Sequence, residues 1–274
     1  MPLYFTDQKK RWPPSKPVQY FLAGMALVLA VGILIGWLLL RFVYTDDVQE
    51  PPKSTTTTSA TQIESELPDT GYCLFIVKDA GYEHFALIRF APAQNAVTVQ
   101  GIPSTLPISG TETVAQLYQR TKEANVTNAI ATYYQLPLKH YISLSIQELE
   151  SLVSRWTGSI QLTLAEEITY RDENGVTVRI PATASTLTPK QMAATLRYTQ
   201  WKNDDSQSHL SAELTVALLR YVLNPNRDLN KCYMDIADNT SLLIQHFNAY
   251  YPGLAHLAAQ DSNTIIEQGT ICTP

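Results

Sequence analysis

Residues 86–106 read ALIRFAPAQNAVTVQGIPSTL. This stretch predicts a β-hairpin that hands a loop to the edge of a sheet. Leu87, Ile88 and Phe90 form the apolar part of the first strand, which ends before Pro92. Ala91-Pro92-Ala93-Gln94-Asn95 carries turn chemistry, because proline fixes φ and asparagine tolerates the left-handed region. Val97 and Val99 alternate with Thr98 and Gln100, the period-2 pattern of a half-buried strand. Gly101-Ile102-Pro103-Ser104-Thr105 then leaves the sheet. Loops delivered by a rigid strand are where binding residues collect, so residues 103–106 are a candidate site rim.

Working outward, residues 72–77 (YCLFIV) are a continuous apolar run, as in a strand buried on both faces. Downstream, helices are predicted over 112–124 and 127–134, the second stopping before Pro137. A strand is predicted over 140–144. Ser145 and Glu148 form a capping box for a helix over 146–156, which Gly158 ends. Strands are expected over 160–164, 168–171 and 176–180, with Asn174-Gly175 turning the last pair. Thr188-Pro189 opens a helix over 190–199, and further helices are expected over 212–223 and 240–250. Helices and strands mix without a strict βαβ rhythm. The expected fold class is therefore α/β, a mixed central sheet covered by helices in an α/β/α layering.

Residues 20–40 (YFLAGMALVLAVGILIGWLLL) carry no charge. At 1.5 Å per residue they span roughly 31 Å, the thickness of a bilayer's hydrocarbon core. The run is too long for a signal peptide and exits without a small-residue cleavage site. Lys9, Lys10, Arg11 and Lys16 precede it, whereas Asp46, Asp47 and Glu50 follow. That asymmetry places the N-terminus in the cytoplasm and the C-terminal part outside. The expected organisation is a cytoplasmic N-terminus (1–17), one transmembrane anchor (18–43), a polar linker (44–70) and an extracytoplasmic domain (71–274). The expected location is the cell membrane, single-pass, with the lipid bilayer as a partner. Gly32 and Gly36 make a GxxxG pair, a possible homodimer face of the anchor.

The chain has 274 residues, 45% hydrophobic and 16% charged, with a formal net charge of -5. That balance supplies no electrostatic footprint for nucleic acid. Three cysteines are too few for a disulfide scaffold and are expected as separate buried hydrophobes, although Cys232 and Cys272 would be free to pair in an oxidising compartment. No Cys/His group has zinc spacing. The five histidines are scattered along the chain and no GxSxG elbow is present. Asp204-Asp205 reads as a solvated turn or a metal-binding pair, and the tyrosine pairs 133–134 and 250–251 as core or as stacking surfaces for sugar rings.

An anchor flanked by charge, a polar tether, the hairpin ending in Gly101-Ile102-Pro103, YYQLPLKHYISLSIQELESLVSRWTGSIQL (133–162) and LTPKQMAATLRYTQWKNDD (187–205) stand in this order. The chain thereby resembles the LytR-CpsA-Psr family of cell-envelope proteins, over roughly residues 72–223. The resemblance implies transfer of a glycopolymer from a polyprenyl-pyrophosphate carrier to peptidoglycan, with magnesium. A pyrophosphate near a membrane calls for arginine forks, and a metal calls for carboxylates. By resemblance, Asp79, Glu83, Arg197 and Asp205 occupy the catalytic positions, with Asp79, Glu83 and Asp205 as metal ligands. Arg89, Ser104 and Lys190 are the ligand-binding candidates.

The arginines of the family pattern are largely replaced. Ser104 stands at the loop arginine, Thr199 at the second arginine of a pair, and Ser206-Gln207-Ser208-His209-Leu210-Ser211 at an arginine-rich turn and the Arg-Gln start of the next helix. Charge-assisted hydrogen bonds contribute about 1.5–3 kcal/mol each, so three fewer forfeit roughly 5–9 kcal/mol. Lys78, Lys190 and Lys202 are the remaining cations, without the bidentate fork. The expected function is cell-envelope assembly through binding of polyprenyl-linked or wall glycan, at a degenerate pyrophosphate site. The alternative is an active phosphotransferase.

Overall fold

A computed structural model of the chain describes residues 70–79, 81–172, 174–260 and 263–271. The expected anchor, its GxxxG pair, the linker up to residue 69 and Cys272 lie outside the described residues. Among the described residues no helix is long and apolar enough to cross a membrane.

The hairpin forms as the sequence predicts. Strand β2 (His84–Ala91) and strand β3 (Ala96–Ile102) pair antiparallel, from Phe85 opposite Ile102 to Ala91 opposite Ala96. A 3₁₀ turn at Pro92–Gln94 joins them, and Asn95 takes φ 50°, the left-handed conformation expected of it. The apolar run becomes β1 (Gly71–Lys78), antiparallel to β2 and parallel to β6 (His140–Ser145). A short strand at the edge, β11 (Ile265–Gln268), runs parallel to β3 and completes the five-stranded order β11-β3-β2-β1-β6.

Period-2 alternation splits β1 between two cores. Cys73, Phe75 and Val77 join Ala86, Ile88, Val97 and Val99 on one face. Helices α3 (Ile146–Trp156), α4 (Pro189–Leu196), α5 (Asp204–Val222) and α7 (Ile244–Ala259) contribute to that core. Leu74 and Ile76 join Phe85, Leu87 and Ile102 on the other face, under α1 (Val114–Thr121) and α2 (Glu123–Tyr133). The layering is thus α/β/α around a mixed sheet. Smaller two-stranded sheets pair β4 (Pro107–Ser109) with β5 (Glu112–Thr113), β7 (Ile160–Thr163) with β10 (Ala184–Leu187), and β8 (Ile168–Arg171) with β9 (Thr177–Ile180).

Both predicted caps are present. Ser145 Oγ accepts from Glu148 N at 3.1 Å while Glu148 Oε2 accepts from Ser145 N at 2.7 Å, and Thr188 does the same with Gln191. Several helix boundaries differ from expectation, and the helix expected over 190–199 stops at Leu196, with Arg197 as its C-cap. The helix expected over 112–124 starts only at Val114, because Glu112–Thr113 pairs as a strand and Thr113 caps the helix through Gln116. The next helix begins at Glu123, not 127, after Lys122 breaks the run with φ 70°. The helix expected over 212–223 starts at Asp204, capped by Asn203. The last expected helix is shifted to Ile244–Ala259 and carries Pro252 inside it. A short helix, α6 (Leu229–Met234), precedes it.

One glycine sets a critical spacing. Gly101 lies where α5 crosses β3, and a Cβ there would fall 1.9 Å from the Ser208 carbonyl oxygen. No side chain fits without moving the helix. Gly101→Ala is expected to destabilise the fold by about 3 kcal/mol or more. The urea midpoint of the variant measures this, with Gly175→Ala, a turn position at φ 75°, as a milder comparison.

Candidate functional site

Three segments converge at one end of the sheet. Asp79 follows β1, Glu83 precedes β2, and Ser104 follows β3, while Val77 pairs with His84 and Phe85 with Ile102. Arg197 is the C-cap of α4 and Gln207 sits in the first turn of α5. Arg197 Nε donates to Asp79 Oδ2 at 2.7 Å. Both side chains are about a third exposed, 39% and 33%, so solvent screens the pair and its net contribution is small, about 0.2–1 kcal/mol.

The loop position Ser104 is occupied in a neutral network. Ser104 Oγ donates to Gln207 Oε1 at 2.7 Å, and Gln207 Nε2 donates to the Glu83 carbonyl oxygen at 3.3 Å. The Glu83 side chain is buried and accepts from Gln119 Nε2 at 3.5 Å. The amide of Gln207 therefore bridges the loop, the acid's backbone and α5 with no formal charge.

Of the other expected residues, Lys190 lines a cleft of about 840 Å³ between α4 and the β8–β9 hairpin, together with Arg197 and Arg171. Arg89 does not join them. It sits six residues along β2 from Glu83, about 20 Å away, and donates to Gln94 Oε1 at 3.4 Å. Asp205 lies exposed in the first turn of α5, its backbone N–H bound to Asn203 Oδ1. Lys78 is committed elsewhere, to Glu123 Oε1 at 3.3 Å, and that oxygen also accepts from Tyr118 Oη and Ser143 Oγ. Burial pushes the Glu123 carboxyl up, but hydrogen bonds from its own backbone, Ser143 and Lys78 outweigh this and hold it below the usual range.

Among the described residues no three His, Cys, Asp or Glu side chains are grouped to hold a metal ion. Magnesium takes several oxygen ligands in a near-octahedral set. Asp79 turned to Arg197, Glu83 buried under amides and Asp205 out on α5 do not assemble that set.

Sequence reasoning missed two members of the site. Gln207 lay in the arginine-free stretch and carried no site signal of its own. His84, beside Glu83, is fully buried: Nε2 lies 2.7 Å from the Leu196 carbonyl, which can only accept, and Nδ1 lies 3.2 Å from Ser211 Oγ. It ties β2 to the last turn of α4, one residue before Arg197. Its neighbourhood in an apolar strand was the available signal. The tyrosine pairs read as packing: Tyr134 is buried edge-on to Tyr133, and Tyr251 packs on Phe247. Cys73 and Cys232 are free and buried, as separate hydrophobes.

A second cavity, about 140 Å³ and apolar, lies at the opposite end of β1. Gly71, Cys73, Ile142, Trp156, Tyr233 and Phe247 are among its walls.

No family model matches the chain, and no curated protein matches it by sequence. Solved structures do match its fold. A protein from Eubacterium siraeum described as a transcription regulator superposes with TM-score 0.63 at 18% identity, over 80% of this chain and 89% of that one. B. subtilis TagV gives TM-score 0.56 at 12% identity, over 74% and 85%. TagT bound to LI-WTA gives 0.52 at 13%, over 73% and 78%. The chain shares their fold. TagV and TagT are LytR-CpsA-Psr proteins, so this is the fold that the sequence resemblance implies.

Burial lowers the His84 imidazole from 6.5 to about 4, against the opposing effect of its bond to Leu196. The unfolded chain therefore takes up this proton first as pH falls. Stability tied to His84 is full above pH 6.5 and is lost toward pH 4, on the order of 3 kcal/mol in all. Urea titrations across this window should show a steeper acid loss for the native chain than for His84→Gln, which keeps an N–H donor but does not titrate.

Proposed function

We propose that the chain is a membrane-anchored, extracytoplasmic protein of cell-envelope assembly that binds a polyprenyl-linked or wall glycopolymer without transferring it. The fold shared with TagT, whose structure holds LI-WTA, supports the glycopolymer class of ligand. The observation that carries the binding reading is the Ser104–Gln207–Glu83 network. A pyrophosphate needs cationic donors at this loop, and the loop instead presents a hydroxyl already committed to a neutral amide. Arg197 faces the site, but Asp79 already neutralises it.

The residues act here as a polar lip. Lys190 and Arg171 on the cleft wall attract anionic groups. One observation favours the second reading, an active phosphotransferase attaching glycopolymer to peptidoglycan. The 2.7 Å contact of Arg197 with Asp79 brings two of the four expected catalytic residues together.

The full chain in detergent, given a polyprenyl-pyrophosphate analogue with and without magnesium, separates the two. Binding without phosphate release is the expected result. Pyrophosphate cleavage that Arg197→Ala abolishes overturns the binding reading. A gain-of-charge variant supplies the converse check: Ser104→Arg should tighten binding of the analogue by about tenfold, the equivalent of one charge-assisted hydrogen bond.

A further inference from the structure

We propose that His140 and His246 form a proton-operated latch on the apolar cavity: neutral, the two rings pack together and hold α7 over it; both protonated, they repel and loosen that wall. All five histidines of the chain lie among the described residues, and these two are in ring contact, with centroids 5.3 Å apart and planes at 46°. His140 opens β6 and is partly exposed, and His246 lies exposed in the first turn of α7. Solvent protons reach both. The pair joins an edge strand of the sheet to a helix that walls the cavity.

The latch sits on the cavity rim. His140, Tyr250 and Gly71 all line the cavity. The Tyr250 ring meets His140 edge-on at 6.0 Å and lies over Gly71, where an added Cβ would stand 3.2 Å from Cε1. Phe247, next to His246, is also a wall residue and stacks on Tyr233 at 4.2 Å. A shift of α7 at His246 therefore moves two wall rings. The chain is pinned on either side of this stretch. Before it, Ser241 N donates to the Tyr141 carbonyl at 3.0 Å, and Ser241 Oγ accepts from Tyr141 N at 2.9 Å. After it, His256 Nε2 lies 2.9 Å from Asn95 Oδ1. Between these ties, α7 starts without a side-chain cap and contains Pro252, which has no N–H for a helix bond. Residues 244–251 are accordingly the part of α7 that swings while both ties hold.

The surroundings of the pair oppose its protonation. Burial first, then the charges of His246 and Lys139, hold the His140 imidazole below its ordinary 6.5. Cys73, opposite His140 on β1, stays a neutral thiol, pushed up to about 12 by burial. The carboxylates on neighbouring elements are engaged elsewhere or exposed. Glu123 of α2 binds Lys78 and Ser143, and Glu148 of α3 caps its own helix at Ser145, the far end of β6. Glu150 of α3 lines the cleft beside Lys190. Asp228 caps α6, Asp235 accepts from Arg155 and Trp156, and Asp238, on the 3₁₀ turn Ala237–Asn239, is exposed, as is Lys231. Helix α7 itself carries no acid. The closed pair thus binds protons less tightly than the open one. The latch is closed above about pH 6.5 and opens progressively as pH falls below it.

The test uses the full chain in detergent. Cys232 is buried and lines the cavity, so its alkylation by N-ethylmaleimide, followed on its own peptide by mass spectrometry, reports access through the wall. Native chain and His246→Gln are compared at the same pH, which cancels the thiol's own ionisation. At about pH 7.5 the two rates should agree. At about pH 5.5 the native chain should react about fourfold faster, the factor for two unit charges about 5 Å apart in water. His256→Gln, at the other end of α7, keeps the pair and should retain the native acceleration. Equal rates for the native chain and His246→Gln at the lower pH overturn the latch. So does a His256→Gln variant that loses the acceleration as fully as His246→Gln. Acceleration accompanied by loss of the native circular dichroism spectrum means global unfolding and likewise overturns a local latch.

Discussion

The close approach of α5 to β3 at Gly101 is the constraint on which the site depends. With no Cβ between them, the Ser208 backbone lies against the strand. Gln207, one residue earlier on the helix, then comes within hydrogen-bond reach of Ser104 and of the Glu83 backbone. The same seating brings Ser211 to His84, whose other nitrogen holds the Leu196 carbonyl and so the end of α4. Arg197 follows directly and meets Asp79. Loop, strand and two helices are registered through one missing methyl group.

That registration fixes the charge balance at the sheet end. Three acids have partners within the fold: Asp79 has Arg197, the buried Glu83 has the Gln119 amide, and Glu123 has Lys78 with two hydroxyls. A buried carboxylate without such partners would be costly. The Lys78 ammonium lies with Glu123, on the sheet face covered by α1 and α2. Of the lysines weighed from the sequence, Lys190 stands in the cleft beside Arg197.

What the sequence showed follows from which signals are local. The hairpin, the Asn95 turn, the Ser145 and Thr188 caps and the double-faced β1 each rest on neighbouring residues, and each is present. The apolar pattern set the start of α5 at 212, because Ser206, Gln207, Ser208 and Ser211 carry no apolar periodicity. In the fold, Ser206 and Ser211 are buried. Ser211 and Thr215 satisfy their hydroxyls on the carbonyls four residues back, so a polar string runs through the core as helix. Lys122 broke a helix with no glycine to announce it. β11 is four residues on a sheet edge, paired through contacts more than 160 residues apart in sequence. For the site, the positions of Asp79, Glu83 and Ser104 were legible through the strand ends. Arg89 was misplaced because strand direction, not sequence proximity, decides which end of a sheet a residue reaches.

The apolar cavity and Asp79 lie at opposite ends of β1. The apolar cavity gathers around Gly71 and Cys73, whereas Asp79 lies six residues further along β1, about 20 Å away. Between them, on the face shared with α5, the sheet is filled by Phe75, Val77, Ala86 and Ile88, all buried in one core. A ligand with its tail in the cavity and its head at Asp79 would have to displace that core or pass over the outside of α3 and α5. Separate apolar and polar contacts at the two ends require neither. The packing therefore separates the apolar cavity from Asp79.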